Sequence, residues 1–192
     1  MSDPIAVTAR GARKGGASFS LGDRLFRACW IVTWLALCRW TPPPLHQWRV
    51  FVLRLFGARL GKGCRIYASV TVWHPGNLVC GDNVTVGPGA WLYNQGRITI
   101  GDDVTISQRA HICASTHDVT DYNFRLQIRP ISIGRHAWIA AEAFVGPGVI
   151  VAEGSVLAAR GALFTSTEPY GMYRGNLAEY FKTRVFSNAP DD

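Results

Sequence analysis

From Leu60 to Leu163 an apolar residue recurs at every sixth position. The first sets are Leu60, Ile66, Val72; Cys80, Val86, Leu92; and Ile100, Ile106, Ile112. After an interruption the ladder resumes with Ile133, Ile139, Val145 and then Val151, Leu157, Leu163. Gly61, Gly81, Gly101 and Gly134 each follow the first member of a set. A helix would repeat near 3.6 residues and a half-buried strand near 2, so neither explains a period of six. Sixes grouped in threes predict a parallel β-helix, in which three short strands make one triangular coil. Leu60, Cys80 and Ile100 lie 20 residues apart, which is three hexads plus two extra residues at one corner. The aliphatic side chains would stack inside the prism, with Gly, Asp and Asn at the corners, and each coil would bond its neighbour. Five coils make a rod about 24 Å long at the usual strand spacing. Residues 115–130 carry no hexads and are expected to leave the prism as a loop.

Outside the ladder the pattern changes. Residues 1–19 are rich in Gly, Ala, Arg and Ser and read as a basic, flexible tail. Ser20 is placed to cap a helix running to about Trp40, which Pro42, Pro43 and Pro44 would stop. A second helix, from about Leu45 to Phe56, would put Leu45, Trp48, Val52 and Leu55 on one face, with Gly57 as its stop. The organisation expected is therefore a tail over 1–19, a helical region over 20–57, the β-helix over 58–165, and a C-terminal segment over 166–192. The ladder should end at Glu168 and Pro169, followed by one short helix near residues 177–184. The class is all-β, with helices and tail capping strand edges that would otherwise be unpaired.

Composition sharpens this picture in three ways. With 48% apolar and 17% charged residues, the chain reads as folded rather than disordered. The net charge of +7 belongs to the N-terminal third, because residues 1–65 hold 11 Arg or Lys against 2 acids. That region also carries Trp30, Trp34, Trp40 and Trp48, which suits peripheral contact with an anionic membrane surface; the rival reading is helices that only cap the prism. No nucleic-acid motif accompanies the charge, so nucleic acid is not expected as a partner. The apolar stretch 28–38 is too short for the roughly 20 residues of a bilayer span. Cys29, Cys38, Cys64, Cys80 and Cys113 are odd in number and lack CxxC spacing, which favours reduced thiols and a cytoplasmic address.

Several strings resemble a known family. They are Leu45-His46-Gln47-Trp48-Arg49, Gly63-Cys64-Arg65-Ile66-Tyr67, Leu92-Tyr93-Asn94-Gln95-Gly96 and Ile106-Ser107-Gln108. To these are added Ser115-Thr116-His117-Asp118, and Trp138-Ile139-Ala140-Ala141 ahead of Pro147-Gly148-Val149. Over about residues 20–185 the chain resembles the hexapeptide-repeat acyltransferases. Within them it is most similar to the colanic acid biosynthesis acetyltransferases and to the nodulation, maltose and galactoside O-acetyltransferases. The resemblance implies a left-handed coil, against the usual right-handed crossover. It also implies a homotrimer, acetyl-coenzyme A in the cleft between neighbouring prisms, and a sugar acceptor destined for an exopolysaccharide or related surface glycan; the membrane reading of the basic third would make that acceptor lipid-linked. No metal is implied.

The same resemblance assigns roles. His117 matches the histidine that takes the proton of the acceptor hydroxyl, and Asp118 or a nearby carbonyl would fix its tautomer. A sugar hydroxyl is a poor nucleophile until its proton is removed, and imidazole is suited to that task near neutrality. Asn94 and Trp138 match acceptor and acetyl-pocket positions, although an Asn at a coil corner also has a purely structural reading. Ala141 and Ala159 match positions whose backbone faces the pantetheine arm. Two lysines that commonly meet the coenzyme's phosphates are absent, since the sequence reads Thr165-Ser166-Thr167 and Gly175-Asn176-Leu177-Ala178-Glu179 at those places. Arg160, Lys182 and Arg184 are the cations expected to substitute, and Thr165 is a further coenzyme-binding candidate.

Two rival functions remain at this stage. A γ-carbonic-anhydrase-like site needs three histidines converging on zinc, but His74, His111, His117 and His136 fall in different hexad columns. A non-catalytic scaffold at the membrane would retain the ladder and need no His117.

Overall fold

A computed structural model describes residues 18–176. The short helix expected near residues 177–184, with Lys182 and Arg184, lies outside the described residues, as does nearly all of the basic tail. Within them the hexads form a three-faced parallel solenoid. The first face stacks Arg59–Leu60, Leu78–Cys80, Ile98–Ile100, Ile131–Ile133 and Ile150–Val151. The second stacks Arg65–Ile66, Thr85–Val86, Thr105–Ile106, Trp138–Ile139, Val156–Leu157 and Met172–Tyr173. The third stacks Thr71–Val72, Trp91–Tyr93, His111–Cys113, Phe144–Val145 and Ala162–Leu163.

Register follows the ladder residue by residue. On the first face Leu60 pairs with Cys80, Cys80 with Ile100, Ile100 with Ile133, and Ile133 with Val151. The inward side chains are sealed, and Ile66, Leu92, Ile106, Ile112 and Ile139 have no exposed surface. Each such residue stabilises the fold by about 1.5–3 kcal/mol relative to an exposed one. The glycines after the first inward residue are there for close approach. A Cβ on Gly101 would lie 2.6 Å from the amide nitrogen of Arg135. Carboxylates stitch the same corner, where Asp82 accepts from the Lys62 amide and Asp102 from the Asp82 amide, each at 2.7 Å.

The C-terminal end corrects the expected coil count. Instead of stopping at Glu168 and Pro169, the chain makes a sixth turn that closes all three faces. Ser166 Oγ accepts from the Ile150 amide at 3.0 Å, and Thr167 Oγ1 accepts from the Ala152 amide at 2.7 Å. The Tyr173 and Gly175 carbonyls then accept from Ala158 and Ala162 at 2.9 and 3.0 Å. Edge amides that would otherwise face solvent are thus satisfied.

At the other end, α1 (Leu21–Leu37) is capped by Ser20, whose side chain accepts from the Asp23 amide at 3.1 Å. It grips the first coil through indole donors, from Trp30 to the Val72 carbonyl at 2.8 Å and from Trp34 to the Ala68 carbonyl at 3.3 Å. The second helix, α2 (His46–Leu55), is held by Arg49, which is fully buried. Its guanidinium donates to the carbonyls of Ile66, Pro42 and Pro43 at 2.6, 3.0 and 2.6 Å, and to Thr41 Oγ1 at 2.7 Å. Burial lowers its affinity for the proton. The expected packing face of α2 is only partly right. Val52 is buried, together with Val50 and Leu53, whereas Leu45, Trp48 and Leu55 are exposed beside Phe51. The buried arginine rotates the helix so that its aromatic stripe faces out.

Candidate active site

The segment 115–130 is a projecting hairpin rather than an irregular loop. Ser115–His117 pairs antiparallel with Leu126–Ile128, placing His117 opposite Leu126. The tip between them is built by acids. Asp118 Oδ1 accepts from the Thr120 amide, the Thr120 hydroxyl and the Asp121 amide at 2.9, 2.7 and 3.2 Å. Those bonds hold the Asp118 carboxyl below the usual carboxylate range. Asp121 is buried and ion-pairs with Arg125.

His117 is oriented by Phe124. Its Nδ1 donates to the Phe124 carbonyl at 2.8 Å, and the two rings stack at 4.3 Å between centroids, within 4° of parallel. A carbonyl can only accept, so Nδ1 carries the proton and Nε2 of the neutral ring is a lone-pair acceptor. The tautomer is therefore set by the backbone carbonyl. Asp118, the other group expected to set it, is instead engaged in the turn by Thr120 and Asp121.

His117 opens onto a recess of about 400 Å³ shared with Tyr93, Gln95, Ser115, Thr116 and Leu126. Ser18 and Phe19, the residues just ahead of α1, complete its wall. Gln95 donates from Nε2 to the Tyr93 hydroxyl at 2.9 Å, while its buried Oε1 finds no hydrogen-bond partner among the described residues.

Other expected site residues fall elsewhere. Asn94 has no exposed surface. Its amide reaches to the neighbouring coil, accepting from the His74 amide at 3.0 Å and donating to the His74 carbonyl at 2.6 Å. These bonds give Asn94 the structural, coil-locking part that was its alternative reading, and the next residue, Gln95, lines the recess. Trp138 lies half-exposed on the second face and donates to Ser107 Oγ at 2.9 Å. Ala141 and Ala159 stack at the corner between the second and third faces, where the Arg160 amide donates to the Ala141 carbonyl at 2.9 Å. Arg160 there pairs with Glu142 at 2.7 Å, and Arg109 adds a second contact to the same carboxylate at 3.6 Å. The Arg160 hydrogen bond lowers the Glu142 proton affinity. Thr165 is exposed beyond the third-face strand, at a different corner.

Within one chain, then, His117 and its recess sit beyond the third face, while Trp138 faces outward from the second. The corner at Ala141 and Ala159 carries small side chains, with Arg109 and Arg160 as the cations beside it. Two features were not legible beforehand. Phe124 follows no repeat, so only the folded hairpin reveals its carbonyl. Gln95 stood inside a quoted string, and its one available signal was a polar side chain directly after a corner Asn. Among the described residues no group of three or more His, Cys, Asp or Glu side chains could hold a metal ion.

No family model matches the chain. The "Putative colanic acid biosynthesis acetyltransferase WcaF" of Escherichia coli is 38% identical over 167 residues, spanning 87% of this chain and 92% of that protein. Among solved structures, a galactoside acetyltransferase in complex with coenzyme A superposes with TM-score 0.75 at 20% identity, covering 92% of this chain and 96% of that one. A hexapeptide-repeat acetyltransferase, VCA0836 of Vibrio cholerae, complexed with acetyl-coenzyme A, gives TM-score 0.73 at 20% identity, covering 84% and 90%. These likenesses supply the hand of the solenoid, which matches the left-handed β-helix acetyltransferases.

Proposed function

Because the chain belongs to the hexapeptide-repeat acetyltransferases, we propose that it moves acetyl from acetyl-coenzyme A to a sugar hydroxyl. The acceptor is a unit of an exopolysaccharide or related surface glycan, and the reaction takes place in the cytoplasm. The observation that carries this reading is the His117 ring, locked by the Phe124 carbonyl so that Nε2 is the basic atom at an open recess.

The reaction balances around that atom. As the acceptor oxygen bonds to the thioester carbonyl carbon, Nε2 takes its proton, and the imidazolium is stabilised by the Nδ1 bond already in place. The carbonyl oxygen gathers negative charge and requires a nearby donor. When the carbon–sulfur bond breaks, the proton passes from Nε2 to the departing thiolate, giving acetyl ester and free coenzyme A. No side chain of the recess is arranged as a covalent nucleophile, so transfer is direct within a ternary complex.

The separation of His117 from Trp138 and the Ala141 corner favours a site assembled from two copies. In a homotrimer the hairpin of one chain would meet the second face of its neighbour, completing each of three equivalent clefts. Arg160 and Arg109 would then exchange part of their hold on Glu142 for the coenzyme's phosphates.

The test is free-thiol release over nucleotide-linked, lipid-linked and free sugars, with wild type against His117→Ala. The variant should lose about 10²–10⁴ in kcat while coenzyme binding by calorimetry is retained. Near-normal turnover would remove His117 as the base, and absence of coenzyme binding in the wild type would return the chain to a scaffold.

A further inference from the structure

The helix α1 is apolar on both of its sides, which is the composition of a buried helix, yet it has only one side covered. Trp30 and Trp34 pack on the first coil, while Leu21, Leu25, Val32 and Leu35 repeat along the opposite side; Leu25 and Val32 are 62% and 65% exposed. From Ala28 to Cys38 there is no charged residue. The turned stripe of α2 continues the surface, because the Trp48 indole donates to the Leu37 carbonyl at 2.8 Å and brings Trp48, Phe51 and Leu55 alongside. The result is one apolar plate made by two helices. A patch on this scale marks a site of interaction.

Charge decides what covers it. Residues 18–57 contain five arginines and one acid, Asp23. Arg24 and Arg39 are exposed near the two ends of α1, whereas Arg54, at the end of α2, donates to the Leu60 and Gly61 carbonyls. Pairing this plate with its own copy would bring like charges together. An anionic lipid surface instead meets the arginines with phosphates and the leucines and tryptophans with acyl chains. Among the described residues no helix is long and apolar enough to cross a membrane, so the plate would lie in the surface rather than span it. An apolar groove of about 180 Å³ beside it, walled by Ile31, Trp34, Leu35 and Arg39, offers room for part of a lipid chain.

We infer that the α1–α2 plate seats the enzyme on an anionic membrane surface, with the His117 recess opening beside the start of α1 toward a lipid-linked acceptor. The link between the two is covalent and short. Ser18 and Phe19 wall the recess, and the first apolar residue of the plate is Leu21. Here the inference rests on the acetyltransferase reading for the nature of its acceptor, but not for membrane seating itself.

The experiment uses the full chain and vesicles of phosphatidylcholine alone or mixed with phosphatidylglycerol. Co-sedimentation is compared for wild type and Leu25→Gln/Val32→Gln/Leu35→Gln, alongside oligomer mass by light scattering and turnover on a soluble acceptor. Wild type should partition to the anionic vesicles only, and the triple variant should bind them about tenfold less or worse. Its mass and soluble-acceptor turnover should stay unchanged. No wild-type binding to anionic vesicles would overturn the inference. So would a variant that binds as well as wild type, or one whose oligomer dissociates, since the plate would then be an interface between copies. Failure of acetyl transfer with vesicle binding intact would instead strike the proposed function.

Discussion

His117, the proposed base, is held by a bond to the main chain, and the residue supplying that carbonyl is under constraint. Phe124 sits at φ 54°, in the left-handed region that side chains other than Gly, Asn and Asp seldom occupy. The strain is offset by the stack its ring makes on the imidazole, worth about 0.5–1.5 kcal/mol. Phe124→Gly should therefore alter stability by less than about 1 kcal/mol, because relief of strain and loss of the stack oppose each other. Turnover should fall at least about tenfold as the ring loses its orientation. Thermal melts and kcat measured together would check both halves. Asn94 gives the reverse case. Removing an amide that makes two buried bonds to the His74 backbone should cost about 2–4 kcal/mol in urea unfolding while acceptor KM is unchanged. A raised KM with no loss of stability would restore the acceptor role expected from sequence. At this scale His117 was singled out by the resemblance carried in the Ser-Thr-His-Asp string, and a histidine on a projecting segment would not have stood out without it. Its partner was not legible, because hairpin tips obey no period.

Among the elements, the coils were readable almost atom for atom and the helices only in outline. A strand of the solenoid needs one inward aliphatic per six residues, and any break in that rhythm shows. Helical rotation depends instead on one buried guanidinium that periodicity treats as a polar, outward residue. Arg49 inverts the expectation by burying itself and turning Trp48 and Leu55 outward. Arg49→Met should destabilise the chain by about 3 kcal/mol, since it strips donors from three carbonyls and a hydroxyl in a dry setting. Hydrogen exchange should show the loss concentrated in α1 and α2, with the coils still protected. Gly101→Ala tests the solenoid in the same spirit. With a backbone nitrogen 2.6 Å from the added carbon, the coils must part locally, at about 1–3 kcal/mol by chemical denaturation.

For the molecule as a whole, acid is the expected weakness. His111 is sandwiched on the third face, stacked on Trp91 at 4.6 Å and edge-on to Phe144, and burial lowers its proton affinity. His74 is lowered chiefly by burial as well, against the opposing pull of Asp23. A histidine whose folded pKa is depressed is more readily protonated when unfolded. Its contribution is complete above the unfolded value near 6.5 and is lost as pH falls from there toward the folded value. Urea midpoints should accordingly drop on going from about pH 7.5 to about pH 5.5. His111→Phe, which keeps an aromatic ring in the stack, should flatten the slope; an unchanged slope would assign it to other groups. The closing sixth turn also belongs to this scale. It escaped the sequence reading because Ser166 and Thr167 continue the first face with side-chain oxygens, and hydroxyls leave no apolar beat to count.

The ladder behaves as though residues 115–130 were absent, since Ile131–Ile133 settles on Ile98–Ile100 in the same alignment as every other pair. The excursion that carries His117 is consequently modular. A hairpin of different length or chemistry could be spliced between positions 114 and 129, with Arg129 kept because its carbonyl accepts from the Gly148 amide at 3.2 Å, so new acceptors would become reachable by grafting one short insert rather than redesigning a scaffold.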